Sequence, residues 1–423
     1  MLNRTFVNIT LLTSVALFLV QPTWSYTDFQ SLYDSAKKQR STAIGEKALK
    51  IAEEDGHTLH IAKAHFLIAF YHDENRMYYE ALNHYFSSQI YYDELKNYGK
   101  QIGILMNIGT IYRIGGFYDK AIEFYSDAQA LALQVKDYKR LRKVNYQMGR
   151  THRMFEGIEE AKKLYLELLL EKDSIKGQVL LTDTYLELAL IAHSYDDDYA
   201  KAKEYLNEAV RQYEGISSPE AERTRMTRIN DLGYIHILEG EAGNSLPVIL
   251  NAIRKSTNDT LNQSIQVKLY GNLGRAYKEV GQLDSSIQML EKGLTLAPLQ
   301  SFEKSFIRTA KVLHDHYKSR SADKADHYVK LMFEFGDQLA TLKEKLTNAN
   351  MEYQIRAADH KRDLDLKVAQ ENRAFFWEVF SGVTGLLLLI TMVWYHFYEK
   401  KARKKRLQRA INRSRIVVPM ATS

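Results

Sequence analysis

The residues that could do acid, base or metal chemistry are spread along the chain without a catalytic pattern. Thirteen histidines occur, and the closest pair is His314 and His316. Two helical residues at this spacing point in different directions, so we expect no metal site there. The three aspartates at 196–198 are expected to form a solvated loop. The HExxH, GxSxG and GxxxxGK(S/T) motifs do not occur. The sequence therefore predicts no catalytic residue, no cofactor, no metal and no enzyme activity.

Composition excludes further kinds of chemistry. No cysteine occurs among the 423 residues, which excludes disulfide frameworks, thiolate catalysis, zinc fingers and iron–sulfur clusters. The chain is 45% apolar and 26% charged, so it is not a disordered protein. Its net charge is +6, but residues 399–423 alone carry +8. Arg4 and Glu378 cancel each other, which leaves −2 for residues 26–374. The basic character therefore belongs to the tail.

Two stretches of the middle region share one pattern of small and large residues. The first stretch contains Leu105, Ile108, Gly109, Tyr112, Gly116, Tyr118, Ala121, Tyr125 and Ala128. The second contains Tyr270, Leu273, Gly274, Tyr277, Gly281, Leu283, Ser286, Leu290 and Gly293. This pattern resembles the tetratricopeptide repeat, a pair of antiparallel helices. Small residues at Gly109 and Gly274 are expected to let the two helices of a pair approach closely.

Weaker copies of this unit recur at nearly constant intervals. The last position of the pattern in each unit is a small or apolar residue. These residues are Ala48, Ser88, Ala128, Leu168, Ala209, Ala252, Gly293 and Met332. The steps between them are 39 to 43 residues, longer than the common repeat of about 34, so we expect longer helices. Such pairs bury their apolar faces only by stacking. The predicted fold is all-α, a solenoid of about eight helix pairs over residues 26–336.

The resemblance implies a concave groove lined by fixed positions of the first helix of each pair. In this sequence these positions are Met106, Thr110, Arg113, Lys143, Tyr146, Arg150, Arg153, Asn230, Tyr234, Lys268, Arg275 and Lys278. Several are basic, so we expect the groove to bind carboxylates of an extended protein or peptide ligand. Alternatively, these are ordinary exposed helix residues.

Residues 337–374 are densely charged and contain no glycine or proline. Apolar residues with heptad-like spacing begin this segment: Leu339, Leu342, Leu346, Ala349 and Tyr353. A long helical arm is predicted. It is either a coiled coil that transmits movement or forms a homodimer together with the membrane span, or a solvated spacer. The sequence does not separate these alternatives.

Two apolar segments relate the chain to a membrane. Residues 1–25 are typical of a secretory signal peptide cleaved after Ser25. Residues 375–398 carry no charged side chain between Glu378 and His396, and have tryptophan or tyrosine near both ends. They are therefore predicted to form a transmembrane helix. Nine basic residues follow within 399–423, which predicts a cytosolic tail and periplasmic repeats. We expect no nucleic-acid partner.

The order of these segments is similar to that of membrane-bound repeat-containing regulators of Bacteroidetes. In that class, outer repeats join through one span to a cytosolic kinase or helix-turn-helix domain. Here 25 residues follow Tyr398, too few for either domain. We therefore predict a single-pass protein of a bacterial inner membrane, a scaffold or sensor that binds a protein or peptide and relays to a cytosolic partner. Alternatively, the chain is a truncated regulator or sensor kinase without its output domain.

Overall fold

The computed structural model describes residues 26–175, 179–212, 219–256, 263–296 and 304–414. The predicted signal peptide and the end of the basic tail lie outside the described residues. The described residues form sixteen α-helices and a short 3-10 turn at Lys172–Ser174. Numbered α1 to α16, the helices are Tyr26–Gln39, Thr42–Glu54, Thr58–Glu74, Tyr78–Glu94, Tyr98–Ile114, Tyr118–Gln134, Tyr138–Met154, Ile158–Leu170, Val179–Ser194, Tyr199–Arg211, Pro219–Leu238, Ala242–Ser256, Gln263–Glu279, Leu283–Leu296, Lys304–Tyr317 and Ala322–Ser414.

Regular helix lengths explain the long period of the repeat. Each odd-numbered helix packs against the even-numbered helix that follows it. Helices α3 to α7 are each 17 residues long and are separated by three-residue turns. The turns share a residue with positive φ, namely Arg76, Lys96, Gly116 and Lys136. Two helices and two turns make one unit of about 40 residues. The all-α helix-pair solenoid and its longer helices are therefore confirmed.

Glycine brings the two helices of a pair into contact at the predicted positions. A Cβ atom at Gly109 would stand 2.8 Å from the ring of Tyr125, and one at Gly274 would stand 2.6 Å from Leu290. Real Cβ contacts are not this short, so any larger residue at either position requires the facing side chain or its helix to shift. Tyr125 itself is fully buried. The close approach that the sequence predicts is present in both units.

The last helix, α16, packs on two different parts of the repeat array. Its first turns, with Tyr328 and Phe335, complete a core with α14 and α15. Leu342, Leu346 and Ala349 then enter the core that α3 to α7 form.

Aromatic contacts hold this second part of α16 in place. The ring of Tyr353 stacks on Phe86 at 4.0 Å between centres, and Tyr112 Oη donates a hydrogen bond of 3.4 Å to the Leu346 carbonyl oxygen. The compact unit that contains the repeats extends to Tyr353. The heptad-like apolar residues at the start of the predicted arm therefore bury against the chain's own repeats.

The second compact unit contains the remainder of α16, up to Ser414. Its apolar side chains are exposed; Leu388, for example, is 65% exposed. Among the described helices, α16 alone is long and apolar enough to cross a membrane, judged by length and composition. The predicted apolar segment at 375–398 lies within it.

Candidate functional site

A cavity of about 220 Å³ opens among the first helices of successive pairs. Its walls come mainly from α11, α13 and α15, with Leu190 from α9 and two residues from α14. Four of the predicted groove residues line it, namely Asn230, Tyr234, Lys268 and Arg275. The structure therefore brings these four residues together.

Side-chain hydrogen bonds fix the polar wall of the cavity. Asn272 Nδ2 donates to Asn230 Oδ1 at 3.1 Å, and Arg275 Nη1 donates to Asn272 Oδ1 at 3.2 Å. Both asparagines are buried. The Arg275 guanidinium also lies 5.2 Å from the centre of the Tyr234 ring, a cation–π distance. These contacts hold two amides and one cation in fixed orientations beside the cavity.

The cavity carries more positive than negative charge. Lys268, Arg275 and Arg308 line it, and Asp231 is the single acidic residue among the lining residues described. Burial lowers the pKa of Arg275, Tyr234 raises it, and the charge of Arg308 lowers it further. An arginine stays protonated despite such shifts. The arrangement therefore favours an anionic group, such as a carboxylate, in the cavity.

Two of the predicted cations have an internal partner instead. Arg153 Nε donates to Glu187 Oε2 at 2.6 Å, and Arg150 Nε lies 3.2 Å from Glu187 Oε1. The Glu187 side chain is 4% exposed. Its carboxylate raises the pKa of Arg153 against the opposing effect of burial, which is the larger single influence. Arg150 and Arg153 thus share the single carboxylate of Glu187, which balances one of their two charges, and they stabilise the contact between α7 and α9.

The other predicted groove residues do not join the cavity. Thr110 Oγ1 lies 2.9 Å from Tyr125 Oη, and Met106 packs against the core of α3 to α7. Arg113 is buried beside Met154. The remaining three residues lie elsewhere on the first helices. Tyr146 is buried beside Arg150, whereas Lys143 and Lys278 are exposed. The twelve predicted residues therefore do not form one continuous cationic stripe.

One polar position of the repeat was missed by sequence reasoning. It lies two residues before the small residue where the helices of a pair meet. In five successive units it is occupied by Asn107, Gln147, Glu187, Asp231 and Asn272. Glu187 bonds to arginines of the preceding unit, and Asn272 bonds to Asn230 of the preceding unit. The recurrence of hydrogen-bonding residues at one offset in five successive units was the available signal. Arg308, on α15, had no such signal.

The paired helices, their close contacts at glycine and the cavity along the first helices define a tetratricopeptide-repeat solenoid. The family model described as "Tetratricopeptide repeat" matches residues 267–298, most of α13 and α14. No curated protein matches the chain in sequence.

Solved structures with this fold include peptide complexes. The apo form of the quorum sensor NprR from B. thuringiensis is 16% identical with a TM-score of 0.54, covering 72% of this chain and 85% of that chain. NprR in complex with its cognate peptide NprX is 15% identical with a TM-score of 0.53, covering 79% and 95%. The Rap conjugation gene regulator of plasmid pLS20, in complex with the Phr* peptide, is 14% identical with a TM-score of 0.51, covering 70% and 79%. A tetratricopeptide repeat protein from Parabacteroides merdae is 13% identical with a TM-score of 0.50, covering 67% and 98%. These similarities show a common fold.

Proposed function

We propose that this chain is a membrane-anchored receptor that binds an extended peptide or protein segment through the cavity of α11, α13 and α15. The observation that carries the proposal is the buried Asn230–Asn272–Arg275 network beside a cavity with excess positive charge. NprR and the Rap regulator, which share the fold, are seen with bound peptides. We propose a binding function and no catalysis.

The chemistry of the walls suggests how such a segment binds. The Arg275 and Arg308 guanidinium groups suit a carboxylate, which accepts charge-assisted hydrogen bonds from them. The amides of Asn230 and Asn272 suit the main chain, since each amide offers both a donor and an acceptor. Phe306 supplies apolar wall. A volume of about 220 Å³ is smaller than a typical small-molecule pocket, so the cavity accepts one or two side chains of a longer segment.

Removing a cavity cation should weaken binding of acidic peptides. We expect Arg275→Gln and Arg308→Gln each to lower the affinity for a pool of synthetic Asp- and Glu-containing peptides about tenfold or more, the effect of one charge-assisted hydrogen bond. Fluorescence anisotropy of the labelled pool with the detergent-solubilised chain measures this. Lys278→Gln, on α13 but outside the cavity, should bind like the wild type. Equal affinity for a matched Asn and Gln pool contradicts the proposal.

We further propose that binding is relayed through α16. Phe306 lines the cavity and stacks on Phe335 of α16, with 5.8 Å between ring centres. A ligand that displaces Phe306 therefore acts directly on α16. The same helix carries the apolar segment, and a cytosolic partner is the proposed receiver.

The membrane topology has a direct test because the chain has no cysteine of its own. We expect a cysteine introduced at the exposed Asp119 to react with a membrane-impermeant maleimide in intact cells. A cysteine at Arg409 should react only after lysis, because the basic tail is retained in the cytosol. The opposite labelling pattern contradicts the proposed orientation, with periplasmic repeats and a cytosolic tail. The alternative of a regulator without its output domain stays a prediction.

A further inference from the structure

One carboxylate and two imidazoles converge near the start of the repeat array, far along the chain from the cavity. The ligand atoms of Glu46 on α2, His72 on α3 and His84 on α4 all lie within 4.8 Å of one another. His84 Nε2 lies 3.4 Å from Glu46 Oε1. Two atoms that each bind a tetrahedral zinc ion at about 2.0–2.1 Å are themselves about 3.4 Å apart. This pair already has the spacing of two zinc ligands.

A fourth side chain is placed to orient one of these imidazoles. His65 Nδ1 lies 2.9 Å from His84 Nδ1. When Nε2 of a histidine binds a metal, its Nδ1 carries the proton and donates it to a neighbouring acceptor, which fixes the ring. His65 is in the position of that acceptor. His65 and His72 are seven residues apart on α3, so both lie on one face of the helix.

Two further observations favour a metal over a simple ion pair. His72 Nδ1 is buried and has no hydrogen-bond partner among the described atoms. Glu46 pairs with His84, and no lysine or arginine of the described residues forms an ion pair with it. A divalent ion would give the buried imidazole nitrogen a bonding partner and would give the carboxylate a compensating positive charge.

A second group of similar composition has a lysine beside its carboxylates. His236, Glu239 and Glu241 also lie close together. The ammonium of Lys203 is 2.6 Å from Glu239 Oε2 and 3.9 Å from Glu241 Oε2. Its charge balances one of the two carboxylates, so this group already contains a cation and serves as a control.

We propose that Glu46, His72 and His84 bind a divalent transition metal ion, with His65 as a positioning residue. Two imidazoles and one carboxylate are a ligand set that zinc commonly takes, with a fourth position for water or another donor. The Glu46 side chain is 48% exposed, which gives the ion access. The bound ion joins the second helix of the first pair to both helices of the second pair. This site is independent of the proposed peptide receptor.

Cobalt(II) replaces zinc as a spectroscopic probe in the test. Titration of the detergent-solubilised full chain with CoCl2 should produce the intense visible absorption of four-coordinate cobalt, and ZnCl2 should abolish it. His72→Gln and His84→Gln should each lose at least tenfold in affinity. His65→Gln should keep the shape of the spectrum but bind about 10- to 100-fold more weakly, as for partners of metal-ligating histidines. His236→Gln should be unchanged.

Helix content and melting temperature without metal establish that each variant is folded. Glu46→Gln should also weaken cobalt binding at least tenfold. Because Glu46 is exposed, this variant tests the metal site even if a histidine variant fails to fold. Absence of the cobalt absorption in the wild type overturns the proposal. Retention of wild-type affinity in Glu46→Gln, or loss of it in His236→Gln, overturns it as well.

Discussion

Replacing Leu346 by aspartate is expected to release residues 342–353 of α16 from the repeats. The Leu346 side chain is fully buried, and a Cβ built on Gly115 would stand 2.6 Å from it, so no room exists for water around a new charge. Truncating such a leucine costs about 2–5 kcal/mol, and an unpaired buried carboxylate adds further cost. The other helix pairs keep their own cores, so local release is expected rather than global unfolding.

Limited trypsin digestion and hydrogen exchange measure this release. Cleavage after Lys343 or Lys345 should accelerate strongly in Leu346→Asp, and amide protection of residues 342–353 should fall. Met351→Asp is the matched control, because Met351 lies on the same helix but is 54% exposed. Equal digestion of Leu346→Asp and the wild type would show that α16 does not pack on the repeats in solution.

Replacing Glu187 by alanine is expected to reduce the free energy of unfolding by about 3–5 kcal/mol. The variant leaves the guanidinium groups of Arg150 and Arg153 close together without their shared carboxylate. Burial of an unpaired cation, and repulsion between two of them, both oppose folding. Denaturant melts of the full chain in detergent, followed by circular dichroism, measure the loss.

An exposed ion pair provides the control for that experiment. Arg142 Nη1 lies 2.8 Å from Glu171 Oε2, but the Glu171 side chain is 54% exposed. Glu171→Ala should therefore cost about 1 kcal/mol or less. If Glu187→Ala reduces the free energy of unfolding no more than Glu171→Ala does, the two arginines are not held by Glu187. They are then candidates for ligand binding again.

The solenoid could be predicted because its signal is local and repeated. Gly109 and Gly274 mark close helix contacts, and the interval between equivalent residues gives the length of one unit. The packing of α16 could not be predicted in the same way. Leu342 and Leu346 predict an apolar stripe on the helix, but the sequence does not identify the surface against which this stripe packs. The partner surface around Tyr112 is 234 residues away in sequence and becomes adjacent only when the repeats stack.

The candidate site was predicted in part for a similar reason. Family offsets selected Tyr234 and Arg275, and both line one cavity. They also selected Arg150 and Arg153, which both pair with Glu187 from the next unit. An offset shows which way a side chain points but not whether a neighbouring repeat supplies a counter-charge. The histidine cluster was missed because its members come from three helices, although the seven-residue spacing on α3 was visible.

We propose above all that the cavity of α11, α13 and α15 binds a peptide or protein segment. Site-specific photo-crosslinking of the full chain in its own membranes tests this most directly. A photoreactive amino acid is placed at Thr309, which lines the cavity, and at Leu170, which is 87% exposed at the end of α8. Mass spectrometry then identifies the adducts. We predict a peptide or protein adduct at Thr309 that is absent at Leu170 and is lost with Arg275→Gln. An identical adduct pattern at both positions, or adducts at Thr309 that persist with Arg275→Gln, would contradict the account.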